Sequence, residues 1–160
     1  MSTFNGLPAH ILLNHFVVVL APLTAVLAIV CALWPAARRR LIWLVVVLAV
    51  ATAALTPVTA DAGGWLAARV RTAPAMEPIL DAHEQLGSTL VYIVAALLAT
   101  VALLAAVHVR QKRGTAVSLV AQSVVGVLVV VAAAATLVQT YRIGDSGARA
   151  AWGTVSSSAP

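Results

Sequence analysis

Four uncharged apolar runs dominate this chain, and each is long enough to cross a bilayer. They extend from His10 to Leu33, Leu41 to about Thr59, Leu86 to Val109 and Thr115 to Val138. A spanning helix needs about 20 predominantly apolar residues. None of the runs alternates apolar and polar residues as a barrel strand does. Valine is frequent in all four, which lowers helix propensity in water. In lipid, however, the backbone must satisfy its own hydrogen bonds, and only a helix does so within one segment. Hydrophobic residues make up 62% of the 160 residues and charged residues 9%, against roughly half and a quarter in soluble domains. A soluble domain of this size could not hide so much apolar surface. Composition therefore excludes a soluble enzyme, a disordered chain and a disulfide scaffold, since Cys31 has no second cysteine to pair with.

The breaks predict an all-α, polytopic bundle of four transmembrane helices in a single membrane domain over 1–160. The expected helices cover about 10–33, 41–59, 79–109 and 115–140, with an outer loop at 60–78 and an outer tail at 141–160. Trp34-Pro35 is expected to end the first helix, with Arg38, Arg39 and Arg40 forming the turn. Pro57, Gly63 and Gly64 are expected to end the second. The stretch from Trp65 to Arg71 reads as a short helix on the membrane surface. Pro78 fits the first turn of the third helix, and Asp81 and Glu84 suit its positive end. Met1 to Ala9 has no Lys or Arg to make a signal-peptide n-region, so the first helix is expected to be retained.

The net charge of +5 could suggest nucleic-acid binding, but the cations sit at the ends of apolar runs rather than on a polar face. Arg38, Arg39, Arg40, Arg110, Lys112 and Arg113 fill the two short turns. All five acids, Asp61, Glu77, Asp81, Glu84 and Asp145, lie elsewhere. The positive-inside rule then predicts cytoplasmic short turns and extracytoplasmic termini across a cytoplasmic membrane. The lipid bilayer is the expected partner, with a second membrane protein or another copy of the chain beside it, and no nucleic acid.

Polar side chains gather near the outer ends. His10, Asn14, His15, His83, Glu84 and Arg142 are expected to converge in one layer, with His83 and at least one of His10 and His15 facing inward. An imidazole turned toward acyl chains would lack partners. On the other side, His108 is expected to be interfacial and solvated. In the fourth helix Ser118, Gln122 and Gly126 recur every four residues, a pattern expected to pack helices.

The chain resembles a bacterial integral-membrane family, domain of unknown function 2231. The resemblance rests on Ala9-His10 with Asn14-His15-Phe16 opening the first helix and His83-Glu84 opening the third. Its most specific piece is the tail from Tyr141-Arg142-Ile143-Gly144-Asp145 to Trp152. It implies four transmembrane helices and little about activity. Outer-end histidines on several helices are also similar, more distantly, to those of b-type membrane cytochromes.

No nucleophile–base constellation, phosphate loop or mid-membrane carboxylate pair is present in the sequence. The expected function is therefore a small integral membrane protein, non-catalytic by itself. The alternative is a redox protein holding one haem b near the outer face. Its ligands would be His83 with His15 or His10, with Gly87 leaving room for the macrocycle and Arg142 or Arg149 pairing with a propionate. A divalent-metal site from His10, His15, His83 and Glu84, perhaps with Asp61, is weaker, for want of a tight ligand spacing. A transporter is weaker too, because the helix centres hold no acid or base.

Overall fold

The structure is a computed structural model that describes residues 3–4, 7–70 and 77–156. A short antiparallel hairpin, β1 (Thr3–Phe4) and β2 (Leu7–Pro8), leads directly into four helices. These are α1 (Ala9–Leu33), α2 (Pro35–Val70), α3 (Glu77–Lys112) and α4 (Leu119–Ser156). All four are long and apolar enough to cross a membrane. They form a ring in which each helix packs against the next and α4 closes on α1, while α1 and α3 lie diagonally.

Side-chain size sets the fit. On α1 the fully buried positions are Ala21, Thr24, Ala25, Ala28 and Cys31, all small enough to let neighbours approach closely. On α3 they are Leu90, Val94, Leu97, Val101 and Leu104, alternately four and three apart. That spacing keeps one apolar seam facing inward, as in bundles whose helices cross at about 20°. Large apolar side chains such as Val124, Val127, Val131 and Leu128 are exposed on α4. In water such a surface would aggregate, whereas in acyl chains it costs nothing.

The bundle core has two compositions. Toward the end of α1 it is dry, with Ile42, Val45, Leu97, Val101, Leu104 and Val129 interlocked. Toward the start of α1 it carries the buried hydroxyls of Thr24, Thr52, Thr56, Thr59, Thr136 and Thr140. Each hydroxyl donates to the carbonyl four residues earlier on its own helix, so the polar groups are satisfied without water.

Several boundaries differ from the sequence reading. The arginines do not form the first turn. Trp34 alone links α1 to α2, and Arg38, Arg39 and Arg40 lie in the first turns of α2 behind Pro35. Proline at a first helical position gives up an N–H that has no intrahelical partner anyway. α2 then runs past Pro57, Gly63 and Gly64 to Val70, so most of the expected outer loop is helix. Arg71 and Pro74 lie outside the described residues. Proline inside a spanning helix is tolerated where neighbouring helices compensate the freed carbonyl. α4 starts at Leu119, with the Ser118 hydroxyl accepting from the Ala121 amide, and continues through much of the expected tail. The Ser118, Gln122 and Gly126 stripe is not a packed face. Gln122 accepts from Gln111 at 2.8 Å, but a Cβ on Gly126 would meet nothing within 4 Å.

Candidate cofactor site at the histidine end

Helix length creates the site. At 1.5 Å per residue α2 and α3, with 36 residues each, are about 54 Å long, against a hydrocarbon core of about 30 Å. α1 has 25 residues and starts just before His10. At that level α2, α3 and α4 continue past it, and the space they leave is an open cleft of about 1410 Å³. All four helices line it, and His10 and His83 stand in its wall. A smaller void of about 40 Å³ adjoins both imidazoles and reaches inward to Thr56, Thr140 and Leu90.

The two rings meet across the bundle with centroids 6.2 Å apart and planes at 88°. Each is held by the helix that follows its own. His10 Nδ1 lies 2.9 Å from the Thr59 carbonyl. A carbonyl can only accept, so Nδ1 carries the proton. His83 Nδ1 lies 2.8 Å from Ser146 Oγ, whose own proton goes to the Ile143 carbonyl at 3.0 Å. The hydroxyl therefore accepts from His83, and Nδ1 is again the protonated nitrogen. A ring protonated at Nδ1 alone would keep an Nε2 lone pair, and neither Nε2 has a hydrogen-bond partner among the described residues. This is how metal-ligating histidines are commonly oriented, with one nitrogen donating to a carbonyl or hydroxyl and the other binding.

Glycine seats both rings. A Cβ on Gly63 would come within 2.9 Å of the His10 ring, and one on Gly147 within 3.2 Å of His83. Gly87 borders both cavities and has open space where a Cβ would stand.

The other expected site residues are placed differently. His15 is exposed on the cleft rim and donates from Nδ1 to the Ile11 carbonyl of its own helix at 2.6 Å. Asn14 and Glu84 line the cleft. Arg142 is on the exposed side of α4, outside the cleft lining, and Arg149 pairs with Asp145 at 2.9 Å. His108 is buried rather than solvated, with Arg38, Arg39 and Lys112 nearby. No group of three His, Cys, Asp or Glu able to hold a metal ion occurs among the described residues.

Sequence reasoning missed Thr59, Gly63, Ser146 and Gly147. The signal was present but took another meaning, since the glycines were read as helix stops and the Ser146-Gly147 pair only as part of a resemblance.

The fold and site define a four-helix integral membrane protein with a histidine pair at one end of its bundle. The chain belongs to the family described as "Predicted membrane protein (DUF2231)", which matches it over residues 6–159. No curated protein and no solved structure matches it.

Proposed function

We propose that this chain is a small membrane redox protein that holds one haem b between His10 and His83. The observation that carries the reading is the imidazole pair itself, two rings from diagonal helices with both Nδ1 atoms engaged and neither Nε2 bonded among the described residues. If each imidazole nitrogen held one iron at about 2 Å, that length plus the distance from each nitrogen to its ring centre would put the centroids about 6 Å apart. The observed separation is 6.2 Å. The cleft exceeds the roughly 300–1,000 Å³ of ordinary ligand sites, and Gly87 leaves a gap in its wall. A bound haem would supply one-electron chemistry. His10 and His83 would hold it, Thr59 and Ser146 would fix their tautomers, and Gly63 and Gly147 would give the rings their seats. The six cations of the other end support an orientation with that end in the cytoplasm of a bacterium and the histidine end outside.

A second reading has one observation in its favour. Both imidazole N–H groups are already satisfied within the protein, so the pair could close the bundle end of a non-catalytic membrane protein with no cofactor. Absorption spectra of detergent-purified protein, oxidised and then dithionite-reduced, separate the two. A sharp reduced α-band is expected, lost in His10→Ala and His83→Ala and kept in His15→Ala and His108→Ala. A flat visible spectrum, or a band that survives both of the first two changes, rejects haem at this pair. Dithionite added to sealed right-side-out vesicles should reduce the band directly. Reduction only after lysis would invert the orientation.

A further inference from the structure

A second site lies at the opposite end and does not depend on the haem reading. A groove of about 530 Å³ runs along the outside of the bundle between the end of α1, the start of α2 and the first half of α4. Its walls include Leu33, Val127, Val130 and Val131, and Gly126 forms part of its floor. Arg38 stands at its mouth and is only 7% exposed. All five carboxylate side chains of the sequence lie toward the histidine end or its approaches, so none is available to Arg38. Among the described residues it makes no ion pair, and its charged neighbours around His108 are Arg39 and Lys112. Arg38 is covered along most of its length, lies beside other cations and has no ion-pair partner among the described residues, so an anion in the groove mouth would complement its charge.

We infer that the groove holds one anionic phospholipid, its phosphate on Arg38 and an acyl chain along α4. The length of the groove favours a lipid over a free anion. From Leu119 to Val131 it follows α4 for about 18 Å, close to the depth of one leaflet, half of a hydrocarbon core of about 30 Å. Basic recesses between spanning helices at a cation-rich membrane face are suited to acidic head groups. Gly126 matters because its missing side chain leaves the floor open.

Native mass spectrometry of protein purified in a neutral detergent, with dioleoyl-phosphatidylglycerol and dioleoyl-phosphatidylcholine added in equal amounts, tests this. One phosphatidylglycerol per chain is expected, retained at least tenfold over phosphatidylcholine. Arg38→Gln should lower that retention about tenfold, while Arg40→Gln, the same charge change at an exposed position, should stay within twofold. Gly126→Leu keeps Arg38 and fills the groove, and it should also lose the lipid. It decides the matter if Arg38→Gln does not fold. Equal retention of both lipids, or full retention in Gly126→Leu, overturns the proposal. So does complete displacement by millimolar inorganic phosphate, which would make this a free-anion site.

Discussion

The two ends of the bundle are built on opposite principles. Near the cation-rich turns, Ile42, Val45, Leu97, Val101, Leu104 and Val129 fill the space between helices with interlocking branched side chains. Near the histidines the same four helices present threonines, glycines and an open cleft. Membrane helices gain nothing from hiding apolar surface from one another, so the first region holds the bundle through close packing. The second region gives up part of that packing for polar groups with fixed directions. The contrast separates what keeps the helices together from what holds the imidazole pair in place.

The comparison can be broken by changes that should affect one end and spare the other. Leu97→Ala should have the largest effect. It empties a fully buried position in the dry half and should cost about 2–5 kcal/mol. Thermal unfolding in detergent would show a clear drop in midpoint, with the visible spectrum of the remaining folded protein unchanged. A spectrum that changed with it would mean the two ends are not separable.

Gly63→Ala should show the converse. Its Cβ would press to 2.9 Å on the His10 ring, an overpacking that costs about 1–3 kcal/mol. Replacing a mid-helix glycine by alanine returns about 1 kcal/mol in helix propensity, so the midpoint should move little. The ring must swing off the Thr59 carbonyl, and the spectrum should shift or vanish. An unchanged spectrum would show that the seat of His10 is not needed.

The smallest change sharpens the boundary of the comparison. Gln122→Leu removes the 2.8 Å bond from Gln111 and should cost under about 1 kcal/mol, the usual range for interhelical side-chain bonds in membranes. Val124→Leu, at an exposed position, should be neutral in the same melts. Equal midpoints would show that this bond contributes nothing measurable.

Four spanning helices were legible from the apolar runs, because length and the absence of charge suffice in lipid. That His83 would meet a histidine of α1 was legible from their shared level near helix starts. The choice of His10 over His15 was not. It depends on which imidazole reaches the neighbouring helix, and His15 instead turns back onto Ile11. Helix ends were misread at Gly63 and Gly64 because glycine has two uses. It can stop a helix, and it can let another group approach closely. Only the position of the His10 ring reveals which applies at Gly63. The buried state of Arg38 was hidden for a similar reason. Its three-arginine run reads as a solvated turn until Pro35 is seen to start a helix there.

The supports of the histidine pair are divided by hairpin. His10 leans on Thr59 and Gly63, within α1 and α2, while His83 leans on Ser146 and Gly147, within α3 and α4. Membrane helices enter the bilayer first and associate afterwards. Each hairpin can therefore orient its own imidazole as soon as its two helices are inserted, before the hairpins meet. Neither hairpin contains both rings, so the cleft between them comes into existence only when the second pair of helices docks on the first. Completion of the cleft is thereby tied to the final step of membrane assembly, and a half-inserted chain has neither the full cleft nor the facing pair of rings.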